Sequence, residues 1–369
     1  MHTMHTTLLI GPADWDERRL PREEFDARTA ALWRDHSQAG GAIVFGDARD
    51  HGALAYLTNF TPKLEPSIAL IAREGPPQLL VGGGVNMIPA AKPLTFVDQL
   101  LPLRNAGATA EQWARGLAEG SRILLIGGDA MPYAMRRNLA NALGSAAPLD
   151  DGTASLRAQM RRKSARELAL IREACMALDA AVVALAAAQS AGQGVTDAVL
   201  AAEHAAWRRG AQDVRSLFSL DGGRTLRPFE VPIAQRVDPL QVYLAVCHTG
   251  YWAEAFVLLA GAAHPAAEAA RTVLRQAIAQ VRPGATYAEL ADHLAAALRP
   301  GIVHPAVRAV TVSLGLTIDD ETSGSAALAP GEDISLRSGV AGEGGAAIVS
   351  AMLAVGDGGA QILWAPADR

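Results

Sequence analysis

The sequence contains little cysteine, lysine or aromatic side chain. Its 369 residues include only two cysteines, Cys175 and Cys247, which excludes a disulfide framework and a zinc site built from cysteines and favours a reducing compartment. Aromatic residues make up 5% of the chain, and three of its 33 basic residues are lysines. Since arginine and alanine are both abundant, the pattern indicates a GC-rich coding bias, and a single arginine is weak evidence of function.

An excess of basic charge is also missing. The net charge of −5 argues against a protein that binds nucleic acid by neutralising phosphates. Half of the residues are hydrophobic and 19% are charged, which excludes wholesale disorder. The first ten residues lack the basic start of a secretion signal, and the most apolar helical run, residues 177–189, is too short to cross a bilayer. We therefore expect a soluble, cytoplasmic protein with no nucleic-acid or membrane partner.

The first part of the chain alternates strand-like and helix-like segments. Strands are predicted at residues 41–45, 56–60, 67–72, 78–81 and 122–126, and helices at 21–38, 111–119 and 132–143. The turn signal Gly75-Pro76-Pro77 joins two of these strands into a predicted hairpin. The alternation predicts a smaller α/β domain with a mixed sheet over residues 1–157.

The pattern changes in the second part of the chain. Ser164 and Glu167 have the spacing of a capping box at the start of a long helix. Strands are predicted at residues 217–220, 241–247 and 251–259, and further helices at 264–280 and 286–298. This order predicts an α+β domain over residues 158–369, with helices on one side of a mostly antiparallel sheet.

Several short motifs occur in the second part in a recognisable order. They are Arg162-Lys163-Ser164-Ala165-Arg166-Glu167, Gly194-Val195-Thr196, Gly250-Tyr251-Trp252-Ala253-Glu254, Leu328-Ala329-Pro330-Gly331 and Asp357-Gly358-Gly359. Together they resemble the creatinase and Xaa-Pro aminopeptidase (M24) family. The resemblance implies a C-terminal pita-bread domain preceded by a creatinase-like N-terminal domain, in which Tyr56-Leu57-Thr58-Asn59-Phe60 is similar to a strand motif.

The same resemblance implies that the metal site of the family's peptidases is lost. Those enzymes hold two metal ions through two Asp, one His and two Glu. The corresponding positions here carry Tyr243, Glu254, a segment at 313–316 without His, Arg337 and Ser350. A single carboxylate beside a cation is a poor ligand set for hard divalent ions. We therefore expect no metal and no cofactor, and no two-metal peptidase activity.

Three residues at these positions are candidates for catalysis. Glu254 is a general base, a nucleophile or an anchor for a cationic group, or else a carboxylate paired with a neighbouring arginine. Arg337 is a clamp for a substrate carboxylate or the ion-pair partner of Glu254. Tyr243 donates a hydrogen bond into the same space or fills the volume left by the metals.

A second set of residues is expected to bind substrate. Trp252 shares the Glu254 face by strand alternation. His248 and His304 lie near pocket-forming elements and belong to the residue type suited to proton transfer near neutrality, with a solvated turn and a plain loop residue as the respective alternatives. Asp319, Asp320, Glu321 and Glu343 are acidic loop positions, for which plain solvation is the alternative. The resemblance also implies a homodimer in which the N-terminal domain reaches the partner's cavity, which makes Lys63 a further candidate.

Two hypotheses about function follow. The first is a metal-independent enzyme that opens C–N bonds in a small, polar, amino-acid-like or amidine substrate. The second is a non-catalytic relative that binds a ligand or a protein partner in the same cavity. An open cavity in which Glu254 and Arg337 converge favours the first hypothesis, and a cavity collapsed around Tyr243 and Trp252 favours the second.

Overall fold

The computed structural model describes residues 14–144, 148–296, 312–313, 320–321, 326–342 and 345–366. The chain divides into two compact units, residues 1–160 and 161–369. This division lies near the domain boundary predicted after residue 157. That the two parts are separate domains stays a prediction. No helix in the described part of the chain is long and apolar enough to cross a membrane.

The first unit is built on a mixed sheet. The elements described up to residue 161 are α1 (Arg22–Asp35), β1 (Ala39–Gly46), α2 (Gly52–Thr58), β2 (Ser67–Ala72), β3 (Gln78–Val81), a 3-10 turn (Val85–Met87), α3 (Ile88–Ala91), a second 3-10 turn (Lys92–Leu94), β4 (Gln99–Pro102), α4 (Ala106–Ala114), β5 (Arg122–Ile126), α5 (Tyr133–Leu143), β6 (Leu149–Asp151) and α6 (Thr153–Arg161). The strand order is β4-β3-β2-β1-β5-β6. Strand β1 pairs antiparallel with β2 and parallel with β5, and the predicted β2–β3 hairpin is confirmed.

The predicted strand at residues 56–60 is wrong, because this segment forms the end of helix α2. The run Leu54 to Thr58 is continuously buried, and a short buried apolar run does not distinguish a strand from a helix by its period. Asn59 ends the helix in the left-handed conformation with φ 59°, which asparagine tolerates. Arg28 then fixes the helix, since its Nη1 donates to the carbonyl oxygen of Tyr56 at 2.9 Å.

The second unit has helices packed on antiparallel sheets, as predicted. Its described elements are α7 (Ala165–Ser190), α8 (Val195–Arg208), β7 (Asp213–Phe218), β8 (Leu240–His248), β9 (Tyr251–Leu259), α9 (Pro265–Ile278), α10 (Tyr287–Ala296), β10 (Val312–Ser313), β11 (Asp320–Glu321), β12 (Asp333–Gly342), β13 (Gly345–Gly356) and β14 (Gly359–Trp364). Described strands form two sheets, in the orders β7-β8-β9 and β11-β10-β12-β13-β14.

Polar side chains join the two sheets of this unit. Gln241 in β8 is fully buried, and its amide donates to the carbonyl oxygen of Ile348 at 3.0 Å while accepting from the Ile348 N–H at 2.8 Å. The hydroxyl of Ser350 in β13 accepts from the Phe256 N–H at 2.9 Å. These bonds continue the backbone pairing from β8 and β9 into β13, so the strands that carry the candidate residues are held in one register.

A buried charge cluster lies where helix α7 begins. The Nζ of Lys163 is 3.0 Å from Oδ1 of Asp333, and both side chains are buried. Tyr251 donates from its hydroxyl to Glu167 at 3.0 Å. Burial raises the pKa of the Asp333 carboxyl to about 6, against the lowering effect of Lys163. Burial, with the Asp333 charge nearby, also raises the pKa of the Cys175 thiol to about 12, so this thiol is unreactive at neutral pH.

We expect Ser164→Ala to lower the free energy of unfolding by about 1 kcal/mol. The reason is that the predicted capping box is present: the Ser164 hydroxyl accepts from the Glu167 N–H at 3.2 Å and Glu167 accepts from the Ser164 N–H at 3.0 Å. Urea unfolding measures the change, and Ser190→Ala at the exposed end of the same helix is the control. Equal effects of the two variants would contradict the role of the cap.

We expect stability to fall as the pH rises from about 4 to about 6 through the titration of Asp333. The folded-state pKa lies above the unfolded value, so the native state holds this proton more tightly and its stabilising effect is lost as pH rises through the folded pKa. Urea unfolding at several pH values should show this component in the wild type and not in Asp333→Asn. For the exposed control Asp129→Asn, the free energy of unfolding should change with pH as it does in the wild type. The same pH dependence in Asp333→Asn would refute the assignment.

Candidate functional site

Two neighbouring strands bring Tyr243 and Glu254 together. Strands β8 and β9 pair antiparallel with Ala245 opposite Glu254 and Tyr243 opposite Phe256. Directly opposite and alternate residues of such a pair share one face, so Tyr243 and Glu254 are diagonal neighbours. The Tyr243 hydroxyl donates to Oε2 of Glu254 at 3.0 Å. The Tyr243 ring also packs on Phe256, with ring centroids 4.7 Å apart.

Strand β12 of the other sheet supplies the remaining partners of Glu254. Ser335 and Arg337 are alternate residues of β12 and therefore point to the same side. The Ser335 hydroxyl donates to Oε1 of Glu254 at 2.6 Å. Arg337 donates to the same oxygen from Nε at 2.7 Å, and its Nη2 lies 2.6 Å from it. The ion pair that we considered as the alternative for Arg337 is thus present.

The environment of Glu254 is that of a buried, fully engaged carboxylate. Its side chain has no exposed surface, whereas the Arg337 side chain is 20% exposed. An ionised carboxylate is costly to bury unless a cation and hydrogen-bond donors replace its water. Both oxygens of Glu254 have such donors, and Arg337 supplies the compensating charge. The Arg337 guanidinium also lies over the Phe256 ring, 5.4 Å from its centroid.

This donor set does not fit a divalent metal ion. Every described neighbour of Glu254 in hydrogen-bond contact offers it a proton, and one neighbour is a cation, whereas a divalent ion needs several anionic or neutral lone pairs directed at one point. Within the described residues there is also no group of three or more His, Cys, Asp or Glu side chains able to hold a metal. Among the described residues, Glu254 and Arg337 form a charge pair at this position.

Trp252 lies on the Glu254 face, as predicted, but another side chain covers it. Its ring packs with Ala245, Cys247 and Tyr243, and the guanidinium of Arg215 sits 4.6 Å above the ring centroid. The indole is 5% exposed. Trp252 therefore shields one flank of the Glu254 cluster.

His248 was expected to bind substrate near the pocket, and this role stays a prediction. Strand alternation puts His248 on the face of β8 opposite to Tyr243, because the two positions are five apart along the strand. Its Nδ1 lies 3.5 Å from a carboxylate oxygen of Glu173 in helix α7. His248 is thus positioned toward the helical layer, away from Glu254.

The described part of the structure does not show the remaining predicted residues at the Glu254 cluster. His304, Asp319 and Glu343 lie outside the described residues, and Asp320 and Glu321 are described as the short strand β11. Lys63 is exposed in a loop of the first unit. Their roles stay predictions. Much of residues 297–325, which the resemblance places beside the cavity, is also outside the described part.

Sequence reasoning missed Ser335. Serine is common and carries no motif, so nothing singled it out alone. The signal that existed was its position two residues before Arg337, because alternate residues of a strand share one face. Ser350, placed by the resemblance at a ligand position, instead accepts the bond from Phe256 described above.

We expect Glu254→Gln to lower the free energy of unfolding by about 3–5 kcal/mol, because it leaves the Arg337 cation uncompensated in a largely buried site. Urea unfolding measures the cost. The control is Glu111→Gln, which breaks a Glu–Arg contact whose side chains are 43% and 74% exposed and should cost under about 1 kcal/mol. Similar costs for the two variants would show that the Glu254 pair is not specially stabilising.

Known proteins share this architecture. A family model described as metallopeptidase family M24 matches residues 169–362, and no curated protein matches. Similar solved structures include a prolidase from Pyrococcus horikoshii OT3 (16% identity, TM-score 0.72, covering 93% of this chain and 98% of that chain), dipeptidase PepE from Mycobacterium ulcerans (19%, 0.73, 95% and 97%) and aminopeptidase P from E. coli (16%, 0.72, 93% and 94%).

These identities are low, so the structures establish the fold and no more. They confirm the predicted pita-bread domain preceded by a smaller α/β domain. The family model covers more than half of the chain. This chain therefore belongs to metallopeptidase family M24.

Proposed function

We propose that the protein is a C–N bond hydrolase of family M24 that acts without a metal ion on a small, polar, amino-acid-like molecule. The observation that carries the proposal is the Glu254 carboxylate, held by Arg337, Ser335 and Tyr243. This charge pair stands where the resemblance puts the metal ions. The similar structures are named as prolidase, dipeptidase and aminopeptidase, which supports an amino-acid-derived substrate.

Arg337 is the proposed anion-binding group. Its Nε and Nη2 face Glu254, and among the described residues its Nη1 has no hydrogen-bond partner. The side chain is also the more exposed member of the pair. A guanidinium held in place by a buried carboxylate is pre-organised to bind a substrate carboxylate or the oxyanion that develops when water attacks.

Tyr243 is the proposed proton donor. In the hydrolysis, water adds to the carbon of the C–N bond, that bond breaks, and the leaving nitrogen takes up a proton. For this step the half-buried Tyr243 hydroxyl turns its proton from Glu254 to the leaving nitrogen, and it regains a proton from the attacking water, so the protons balance. Glu254 then serves as the counter-ion of Arg337 and as the hydrogen-bond acceptor that orients Tyr243, and not as the base or nucleophile.

A second candidate function is ligand binding without catalysis. One observation favours it: both oxygens of Glu254 already accept hydrogen bonds, from Tyr243, Ser335 and Arg337. Arg337 would still bind an anionic ligand in that case. Both candidate functions include the proposed homodimer, with Lys63 near the partner's cavity, and the proposed cytoplasmic location.

We expect EDTA-treated protein to hydrolyse at least one member of a panel of amidines, lactams and amino-acid amides, and Tyr243→Phe to lower that rate by about a hundredfold or more. Product formation by mass spectrometry measures the rate, and Tyr133→Phe, at a 76% exposed position, is the matched control.

The same panel separates the alternatives. Hydrolysis of Xaa-Pro dipeptides that requires added Mn²⁺ or Zn²⁺ would overturn metal independence. Ligand binding that is lost in Arg337→Gln, without turnover of any compound by the wild type, would support the non-catalytic function instead.

A further inference from the structure

The third strand of the β7-β8-β9 sheet adds a second cation to the face that carries Glu254. Arg215 in β7 pairs with Ala245 in β8, and Ala245 pairs with Glu254 in β9. Residues that pair directly across antiparallel strands share one face of the sheet. Arg215 and Glu254 are therefore on the same face, with two strand spacings, or about 10 Å, between their Cα atoms.

An aromatic ring places the guanidinium of Arg215. This group lies 4.6 Å from the ring centroid of Trp252, and Trp252 is two residues before Glu254 on the same face of β9. A guanidinium over the face of an indole is stabilised by a cation–π interaction. Because the Trp252 ring is buried and fixed by its packing, it holds the Arg215 guanidinium above the sheet.

One acidic side chain also contacts Arg215. The Nη2 of Arg215 lies 3.6 Å from Oδ2 of Asp213, and the two side chains are 56% and 45% exposed, respectively. This distance is longer than a hydrogen bond, and an ion pair between such exposed groups contributes little free energy. The exposed Arg215 side chain therefore presents N–H donors to a ligand.

Arg337 has a matching arrangement on the other side of Glu254. Its guanidinium lies 5.4 Å from the ring centroid of Phe256, which is two residues after Glu254 on the same face of β9. Trp252 and Phe256 are four residues apart, which is about 13 Å along a strand. Two cations, each placed over an aromatic ring, thus stand on the order of 10 Å apart on one face of the sheet.

The proposed proton donor lies between these two cations. The Tyr243 ring packs on Phe256, with ring centroids 4.7 Å apart, and also contacts Trp252. Its hydroxyl reaches Glu254, which is midway between the two aromatic residues on β9. A substrate whose C–N bond lies at the Tyr243 hydroxyl can therefore extend toward one guanidinium on each side of that bond.

The charge and spacing of the two guanidinium groups define the substrate class. Each group matches a carboxylate, and the two carboxylates of an extended two-residue amide are about 7 Å apart, which fits between the cations. We propose that the substrate is a dicarboxylic amide with one carboxylate on each side of its C–N bond, and that Arg215 binds one carboxylate and Arg337 the other. The place of the scissile bond rests on the proposed function, whereas recognition of the dianion is a property of binding that is measured separately.

The test uses the full chain and N-succinylglycine, which has one carboxylate on each side of its amide bond. Isothermal titration calorimetry should show that it binds at least about tenfold more tightly than either of its monoamides, N-succinamoylglycine and N-succinylglycinamide, because each monoamide lacks one charge-assisted hydrogen bond. Arg215→Gln should lose the preference over one monoamide and keep the preference over the other. The control Arg208→Gln, which removes an exposed cation from helix α8, should keep both preferences.

The variant Asp213→Asn separates recognition of the ligand from a structural role of Arg215. If Arg215 served only to pair with Asp213, loss of either side chain would have the same effect on binding. If Arg215 binds a carboxylate of the ligand, Asp213→Asn should tighten binding of N-succinylglycine about twofold or more by removing a nearby negative charge, whereas Arg215→Gln should weaken it about tenfold. Thermal unfolding confirms that each variant is folded.

Three outcomes would overturn the proposal: no saturable binding of N-succinylglycine, equal binding of both monoamides by the wild type, or wild-type preferences in Arg215→Gln. Hydrolysis of uncharged amides without any preference for the dianion would also refute it, while leaving the proposed hydrolase function in place. Binding of N-succinylglycine through Arg215 without turnover of any compound would have the opposite meaning, since it would support the dicarboxylate site and refute the hydrolase function.

Discussion

The buried carboxylate of Glu254 is the constraint on which the second unit depends. A charge with no exposed surface is tolerated only when a cation and hydrogen-bond donors replace its solvation. Those partners come from strand β12 of one sheet and from Tyr243 of the other. The two sheets must therefore meet in one register. The hydrogen bonds that Gln241 and Ser350 make to backbone groups of the facing strand stabilise the same register.

Arg337 supplies from within the chain the positive charge that compensates Glu254. A carboxylate that is removed from water needs a cation beside it, and the Arg337 guanidinium provides it through Nε and Nη2. A guanidinium donates hydrogen bonds and, unlike a metal ion, does not activate a bound water as a Lewis acid. The proposed hydrolysis without metal therefore depends on hydrogen bonding and on this charge pair.

The sequence by itself determined the local features of this protein. The capping box of Ser164, the β2–β3 hairpin and the antiparallel strands follow from residue spacing and turn chemistry, which act over a few residues. The motif order determined the fold family. Tertiary structure alone decided that residues 56–58 end a helix, that His248 faces away from Glu254, and that Ser335 completes the carboxylate's partners. Burial and contacts between distant strands decide these points, and neither is encoded in the local pattern.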